Sequence, residues 1–410
     1  MSTIELAVDG VAARERRQPT TADALAAALA EANAAGLAVA PLGGGTQLDL
    51  GMPPARLDVL LETTGLDRVV EYEPADLTVT VEAGMRFDAL QRLLGEQGQF
   101  LALDPPAQPA ATVGGLIATN ASGPLRLAYG SARDLVIGTR VANPDGTLTH
   151  AGGRVVKNVA GYDLNKLYIG SLGTLGVLVE LSFKLAPIPP SLATVVGQFS
   201  DAASAGRLLG AVLRSPLGPQ AMELLGPGLA RAAGWPDGTL VVLRVGGYPP
   251  AVERQVRELQ SLLGQHGGRP VEASDGAWEH LAELRTAAMG RELVLKAAAP
   301  IAHTATMADL LEQRLAAAGT EPQVWAHGGN GVVYAACATV PEAAVLTHLR
   351  QDVGALGSNA SLVILRCPTV LKRAVDVWGP VGPSLGLMRA IKAKLDPRTT
   401  LNPGRYVGGL

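Results

Sequence analysis

The sequence predicts a two-domain protein of mixed helix and strand, and three observations support this. Its 410 residues are too many for one ordinary hydrophobic core. Pro187, Pro189 and Pro190 form a clear linker, because closely spaced prolines hold a chain extended. Before the linker, short β-rich runs lie between dense glycine and proline clusters. After it, strand-like and helix-like runs alternate, which indicates a second α+β or α/β domain.

In the first domain, the predicted strands are runs rich in leucine and β-branched residues, bounded by turn residues. They cover residues 37–40, 57–61, 69–72, 77–81 and 135–141. Helical periodicity predicts helices over 22–35 and 87–97. Thr20 or Thr21 suits the N-cap of the first helix, and Gly36 suits the position that ends it.

In the second domain, strands are expected at 194–199, 240–245, 293–297, 324–327, 332–338 and 362–365. Helices are expected at 202–213, 251–264, 277–289, 307–318, 342–356 and 385–395. We place the domain boundaries at 1–189, 190–384 and a C-terminal segment 385–410. No internal repeat or heptad pattern interrupts this order.

Composition excludes several classes of function. The chain has 34 basic and 37 acidic residues and only 4% aromatic residues, which argues against nucleic-acid binding. No apolar run is long enough for a membrane-spanning helix, and charges throughout the first twenty residues leave no visible signal peptide. Cys337 and Cys367 cannot hold a four-cysteine iron–sulfur cluster. We therefore expect a soluble, cytoplasmic protein.

A first glycine-rich loop directly follows the strand at 37–40. Its residues are Pro41, Leu42, Gly43, Gly44, Gly45, Thr46 and Gln47. Consecutive glycines let backbone N–H groups converge on an anion, so a bulky side chain at Gly44 is expected to block the anion's path. Gly51, Pro53 and Pro54 prevent a following helix, and no Rossmann or Walker pattern is present. The loop is either an anion site built from backbone alone or a tight turn between strands.

A second loop contains Asp104 and Pro105 and continues through residues 111–123. Its apolar side suits a flat ring, and polar contacts are expected from Thr112, Asn120 and the amides of Gly114 and Gly115. A third loop brings Lys157, Asn158, Asn165 and Lys166 within ten residues, in a chain with only seven lysines. That clustering indicates either a local environment that requires these particular side chains or a polar loop held by its own hydrogen bonds.

Taken together, these motifs resemble an FAD-binding domain of the vanillyl-alcohol oxidase/PCMH superfamily. The resemblance covers about residues 20–185 and rests on P-L-G-G-G-T-Q, A-T-V-G-G-L-I-A-T-N-A-S-G-P, Y-G-S-A-R-D-L-V-I-G, V-K-N-V-A-G-Y-D-L-N-K-L and G-S-L-G-T-L-G-V. The L-N-P-G-R segment near residue 403 resembles the tail of FAD-linked oxidases. The resemblance as a whole implies an α+β fold. This fold has an FAD-binding domain of two α+β subdomains, an α+β cap domain, and a C-terminal segment that returns to the FAD domain.

The resemblance also implies roles for individual residues. The first loop wraps the FAD pyrophosphate, and the second follows the cofactor towards the flavin through Asp104, Pro105, Thr112, Gly114, Gly115 and Asn120. The segment G-S-L-G-T-L-G-V, residues 170–177, approaches the adenine through Gly173, Gly176 and Val177. Some family members attach FAD through a histidine near the first loop. No histidine precedes His150, so we expect noncovalent FAD.

Catalytic relatives carry a His-x-Gly-Asp-Gly-Asn-x-His pattern in the second domain. The matching stretch here keeps the first histidine, His327, but has Asn330, Val332 and Tyr334 at the later polar positions. Asparagine and valine are poorer ligands for a divalent ion than a carboxylate, so we expect no metal. His327 is the candidate catalytic residue, and the alternative is an ordinary hydrogen-bonded loop residue.

Three functional hypotheses remain open. Within the superfamily the resemblance is to the smaller FAD-binding subunits of bacterial glycolate oxidases, which implies a larger FAD-binding catalytic subunit and an iron–sulfur subunit as partners. Such a complex would be cytoplasmic, with peripheral association at the inner membrane. The second hypothesis is a self-sufficient dehydrogenase of D-2-hydroxy acids, and the third is a scaffold that has lost its flavin. The altered histidine pattern favours the first over the second, and the intact loops argue against the third.

Overall fold

The computed structural model describes residues 7–106, 108–154 and 162–410. It divides into two compact units that alternate along the chain. The first unit comprises Met1–Ser122, Gly130–Ile188 and Pro380–Leu410. The second comprises Gly123–Tyr129 and Pro189–Gly379, so the change of unit at 188/189 falls within the proline-rich linker.

The strands, in chain order, are β1 Ala7–Val8, β2 Val11–Ala12, β3 Glu15–Arg17, β4 Val39–Leu42, β5 Val59–Glu62, β6 Val69–Glu73, β7 Thr78–Glu82, β8 Gln99–Phe100, β9 Val136–Ala142, β10 Leu148–Gly152, β11 Val177–Lys184, β12 Ala186–Pro187, β13 Ser191–Phe199, β14 Ala221–Leu225, β15 Thr239–Gly247, β16 Arg269–Val271, β17 Leu293–Ala298, β18 Gln323–His327, β19 Val332–Cys337 and β20 Ser361–Arg366. The α-helices are α1 Ala22–Ala34, α2 Phe87–Gly95, α3 Val113–Ala118, α4 Arg126–Tyr129, α5 Ala132–Leu135, α6 Asn165–Tyr168, α7 Ala202–Arg214, α8 Pro227–Ala232, α9 Pro249–Gln265, α10 Ala277–Ala288, α11 Thr304–Ala317, α12 Ala343–Gly354, α13 Thr369–Lys372 and α14 Leu385–Leu395. No helix within the described residues is long and apolar enough to cross a membrane.

Two sheets and helix α1 form the core of the first unit. Strands β3, β5 and β4 pair in parallel, and among the described residues five strands form a second sheet in the order β10-β9-β11-β7-β6. Helix α1 begins after Thr21, whose Oγ1 accepts a hydrogen bond from the Ala24 N–H at 3.1 Å. It ends before Gly36, whose φ is +70°. Leu25 and Leu29 of α1 are fully buried in a cluster that includes residues of both sheets.

The second unit contains an eight-stranded sheet within residues 189–379, all of which are described. Its order is β16-β13-β15-β14-β18-β19-β17-β20, and the neighbouring strands pair antiparallel. Helices α7, α9, α11 and α12 pack against this sheet. Antiparallel pairing decides between the two classes that the sequence left open, so the second unit is α+β.

The C-terminal segment belongs to the first unit and is tied to it by buried polar contacts. The Lys392 Nζ donates to the Thr174 carbonyl at 2.7 Å, to Asp396 Oδ2 at 2.6 Å and to the Leu401 carbonyl at 2.9 Å. Burial lowers the pKa of Lys392, and the charge of Asp396 opposes that shift. A parallel bridge between Val39 and Leu401 continues the β3-β5-β4 sheet. Residues far apart in sequence therefore complete this unit together.

Candidate cofactor groove and buried histidine cluster

An open groove in the first unit spans about 840 Å³ of empty space, including the solvent at its mouth. The groove brings together most of the cofactor-binding residues expected from the sequence, namely Pro41, Leu42, Gly43, Gly44, Gly45, Thr46, Gln47, Thr112, Gly114, Gly115, Gly173, Gly176 and Val177. Asp104, Pro105 and Asn120 do not line it.

The first glycine loop offers unused hydrogen-bond donors to this groove. Within the described part of the chain, the backbone N–H groups of residues 43–47 have no hydrogen-bond acceptor. Gly45 has a φ of +73°, a left-handed conformation that helps successive N–H groups form a concave anion site. Adjacent backbone donors on residues that line a groove suit an anionic group such as a diphosphate.

Gly44 is needed for a different reason from the one that the sequence suggested. A Cβ atom at Gly44 would lie 1.5 Å from the Ala110 carbonyl oxygen, and one at Gly43 would lie 2.3 Å from Thr112 Oγ1. These atoms would collide with the second loop instead of occupying the groove. The glycines therefore let the first and second loops pack closely, which sets the shape of the site.

The second loop contains a short helix, α3, which the sequence analysis did not predict. Thr112 caps it by accepting a hydrogen bond from the Gly115 N–H at 3.2 Å, and the Gly114 N–H donates to the Ala83 carbonyl at 2.8 Å. The expectation that these two amides contact a ligand is therefore corrected, because both are engaged within the protein. Gly114 and Gly115 contribute close-fitting surface to the groove.

The C-terminal segment holds the groove's loops in place. Arg405 lines the groove and is 4% exposed, and its guanidinium donates to the Leu50 carbonyl at 2.8 Å. The Asn402 side-chain amide donates to the Leu172 carbonyl at 2.6 Å. Burial lowers the pKa of Arg405. These two residues connect the first glycine loop and the 171–178 segment to the same piece of chain.

The polar cluster of the third loop is only partly described. Lys157 and Asn158 lie outside the described residues. Asn165 is 2% exposed and accepts a hydrogen bond from Thr139 Oγ1 at 2.8 Å. Lys166 donates to the Arg133 carbonyl. Asn165 and Lys166 therefore hold the first unit together, as the alternative interpretation of this loop expected, and neither lines the groove.

In the second unit, strand register places several functional groups on one face of the sheet. Glu223 of β14 lies directly opposite His327 of β18. Tyr334 of β19 lies opposite Trp325 of β18 on one side and opposite Lys296 of β17 on the other. Directly opposed residues in an antiparallel pair point to the same face, as do residues two apart along a strand. The five side chains therefore share a face.

His327 is buried and held by a carboxylate. It is the last residue of β18, not a loop residue, and is 2% exposed. Its Nδ1 lies 2.7 Å from Oε1 of Glu223, and Oε2 of Glu223 accepts from Nη1 of Arg285 at 2.9 Å. The Nε2 atom of His327 is buried and has no hydrogen-bond partner in the part of the chain that the structure describes. A buried imidazole nitrogen without a partner is available to a ligand.

Aromatic and cationic groups surround this histidine. The Tyr334 ring meets the His327 ring edge-on at 5.4 Å and stacks on Trp325 at 5.1 Å. Lys296 is partly buried, with its Nζ 5.9 Å from the centre of the Tyr334 ring. Among the described residues it has no hydrogen bond or ion pair. Lys296 is thus a cation whose charge is not neutralised by a neighbour.

Sequence reasoning found His327 but missed Glu223, Arg285 and Lys296. A signal was present for two of them, because Glu223 interrupts the apolar run A-M-E-L-L and Lys296 interrupts L-V-L-K-A-A. Isolated charges in buried strands need a partner or a function. Within the described residues, no three His, Cys, Asp or Glu side chains form a group that could hold a metal ion.

Two parts of the chain match known family models. Residues 16–152 match the FAD binding domain, and residues 379–406 match the C-terminal domain of FAD linked oxidases. The chain is 26% identical to glycolate oxidase subunit GlcD of Bacillus subtilis over 403 residues, covering 90% of this chain and 83% of that protein. It is 43% identical to glycolate oxidase subunit GlcE of Escherichia coli over 122 residues, covering 30% of this chain and 35% of that protein.

The fold is shared with a solved enzyme structure. The structure of p-cresol methylhydroxylase with substrate bound aligns with a TM-score of 0.75 and 16% identity, covering 95% of this chain and 88% of that one. The α+β fold expected from the sequence is thereby confirmed. The unused N–H donors of residues 43–47 fit a dinucleotide cofactor independently of these likenesses. Residues 16–152 therefore match an FAD binding domain, the chain is an FAD-dependent oxidoreductase, and FAD is its cofactor.

Proposed function

We propose that this chain is the FAD-carrying subunit of a complex that oxidises 2-hydroxy acids, with glycolate as the substrate class. The observation that carries the proposal is the groove of unused backbone donors within the FAD-binding domain. The relatives described above that are named as glycolate oxidase subunits support the substrate class. A scaffold without flavin is the weaker explanation, because it leaves these donors without a function.

The residues of the groove divide naturally along a dinucleotide. The N–H groups of residues 43–47 would hold the pyrophosphate through hydrogen bonds, and we propose that FAD is bound noncovalently. Gly114 and Gly115 face the middle of the cofactor. Gly173, Gly176 and Val177 face the adenine end.

The proposal requires partners that carry electrons away from FAD. The chain has two cysteines, Cys337 and Cys367, and both are buried, so it holds no four-cysteine cluster of its own. We assign the relay to an iron–sulfur subunit and the main oxidation site to a larger FAD-binding subunit. The complex works in the cytoplasm and associates peripherally with the inner membrane.

Affinity purification from the native host tests this assembly. We expect the tagged chain to be yellow, to release FAD on acid treatment, and to bring with it a larger flavoprotein and an iron–sulfur protein. A yellow chain that purifies alone and passes electrons from glycolate to a quinone analogue contradicts the proposed partners. A colourless chain that cannot be reconstituted with FAD contradicts the cofactor assignment itself.

A second candidate function is oxidation of the 2-hydroxy acid at this chain's own flavin. It is favoured by one observation: His327, with an unpartnered nitrogen, and Lys296, with an unneutralised charge, share a sheet face. Oxidation of a hydroxy acid needs an acceptor for the hydroxyl proton and a cation for the carboxylate. The imidazole of His327 can accept the proton, and the ammonium group of Lys296 can bind the carboxylate.

Anaerobic mixing separates the two candidates. If the larger subunit is the main site, the isolated holoprotein keeps its oxidised flavin spectrum with glycolate or D-lactate, while dithionite reduces it. If this chain oxidises substrate, its flavin bleaches with a 2-hydroxy acid, and His327→Ala abolishes the bleaching. Loss of a positioned base costs about 10²-fold or more in rate.

A further inference from the structure

Glu223 is the most deeply buried charged group beside His327. It is 0% exposed and lies in the middle of β14, with β15 on one side and β18 on the other. Its two oxygens have different partners, since Oε1 lies 2.7 Å from His327 Nδ1 and Oε2 lies 2.9 Å from Arg285 Nη1. A carboxylate so enclosed persists only when both oxygens are satisfied.

Arg285 is the cation that pairs with this carboxylate. It is 3% exposed, and its guanidinium lies 5.4 Å from the ring centre of Trp278, which stands seven residues earlier on α10. A spacing of seven residues places both side chains on the same helix face, so α10 delivers the cation and its aromatic support together. Arginine stays protonated in proteins, and among the described residues Glu223 is the only ion-pair partner of Arg285.

The protonation of His327 follows from these partners. Because an ionised carboxylate only accepts hydrogen bonds, the 2.7 Å contact requires a proton on Nδ1. A neutral imidazole has one N–H, so Nε2 then carries a lone pair. The triad of Arg285, Glu223 and neutral His327 has no net charge, whereas a second proton on His327 would leave a buried net charge of about +1.

We infer that Glu223, held as a carboxylate by Arg285, is the residue that positions His327, fixing its proton on Nδ1 and leaving Nε2 as a hydrogen-bond acceptor for a hydroxyl group. This inference rests on the second candidate function. In that reaction bound FAD would supply the acceptor for the hydride that leaves the substrate carbon, while Nε2 of His327 would take the hydroxyl proton, so that the alcohol becomes a carbonyl group. Glu223 touches neither substrate nor cofactor, and it stabilises the imidazolium that results.

Nitrogen NMR of the full-length holoprotein with ¹⁵N-labelled histidine tests the arrangement directly. The chain has six histidines, and the His327→Gln spectrum identifies the signal of interest. We expect a protonated Nδ1 and an unprotonated Nε2 at neutral pH. A proton on Nε2, with or without one on Nδ1, overturns the inference, and this measurement on the wild-type chain does not depend on any variant folding.

The Glu223→Gln variant tests which residue sets this state. A glutamine amide either accepts from Nδ1–H or donates to Nδ1, so both tautomers should become populated, and the rate of flavin reduction by a 2-hydroxy acid should fall about 10²-fold with little change in KM. Glu312→Gln is the matched control, since it removes another buried carboxyl group of the same unit without touching the triad. A Glu223→Gln variant with the wild-type tautomer contradicts the positioning role.

If the second candidate function is wrong, the experiments give a different result from the one expected when only the positioning role of Glu223 is wrong. If glycolate and D-lactate leave the wild-type flavin oxidised, oxidation at this chain's flavin is wrong, and the NMR experiment still decides whether Glu223 orders His327. If the flavin is reduced at the same rate in wild type and Glu223→Gln, the function stands and the positioning role falls.

Discussion

The cofactor groove of the first unit and the His327 cluster of the second are built by opposite means. The groove takes its donors from five consecutive backbone N–H groups, whereas the cluster joins side chains that are 62 and 104 residues from Glu223 along the chain. A backbone site depends on conformation and on glycine at a few positions. A side-chain site depends on strand register, because moving β18 by one residue would turn His327 to the other face. Local motifs therefore reveal the first kind of site and conceal the second.

The largest effect is expected from loosening the C-terminal segment, which supports the groove through Asn402 and Arg405. Lys392→Met removes the cation from buried Asp396 and a donor from the Thr174 carbonyl. Removing one partner of a buried ion pair costs about 3–5 kcal/mol, and we expect that loss in the free energy of unfolding measured with urea. Lys394→Met is the control, since Lys394 is exposed and its removal should change stability by less than about 0.5 kcal/mol. Equal stability of the two variants would show that the C-terminal segment does not support the unit.

The next effect concerns the local part of the same groove. Gly44→Ala places a Cβ atom against the Ala110 carbonyl, and the backbone shift needed to relieve this contact should cost about 3 kcal/mol. We expect FAD to bind about 100-fold more weakly, as measured by titration of the apoprotein. Gly95→Ala is the matched control because a Cβ atom there meets nothing within 4 Å. Unchanged FAD affinity in Gly44→Ala would mean that the two loops need not pack closely.

Glu312 provides a pH-dependent contrast with the satisfied carboxylate of Glu223. Burial raises the pKa of Glu312 from 4.5 to about 7, although the Gly228 N–H donates a hydrogen bond to it, and its Oε2 atom has no partner. Between about pH 4.5 and 7 the folded protein holds a proton that the unfolded chain releases, so the free energy of unfolding falls as pH rises and levels off above this window.

Glu312→Gln should remove that dependence. Allowing for partial solvent screening, we expect the variant to be more stable than wild type by on the order of 2 kcal/mol at pH 8 and nearly equal to it at pH 4. Urea unfolding at a series of pH values measures this difference. A wild-type stability that rises between pH 5 and 7 by this amount relative to the variant would contradict the direction of the shift.

The smallest effect belongs to a wholly local feature. Thr21 Oγ1 caps α1, so Thr21→Ala should lower the free energy of unfolding by about 1 kcal/mol. Thr20→Ala serves as the control, because Thr20 makes no capping bond to this helix. Thermal unfolding of the two variants decides between the candidates that the sequence left open. Equal midpoints would show that the cap contributes nothing to stability.

The sequence predicted most of the helices and strands because each has its own periodicity and turn residues. Helix α1 starts and ends where Thr21 and Gly36 indicate, and the first glycine loop lines the groove as expected. Strand β14 escaped prediction because a fully buried five-residue run has neither alternation nor helical period. Glu223 was missed with it. Helix α3 escaped because paired glycines weaken helix propensity, and it is held by the Thr112 cap and by backbone hydrogen bonds with residues 83–85 and 170–172.

The return of the C-terminal segment to the first unit has a consequence for protein synthesis. The carbonyl groups of Leu48 and Leu50, just after the first glycine loop, accept hydrogen bonds from Arg405, and the Leu172 carbonyl accepts one from Asn402. On the ribosome, the nascent chain therefore cannot complete its cofactor site until residues 402–405 have been made, and the whole second unit emerges before then. We expect a chain truncated before residue 402 to lack these supports and to remain an apoprotein that is open to proteolysis.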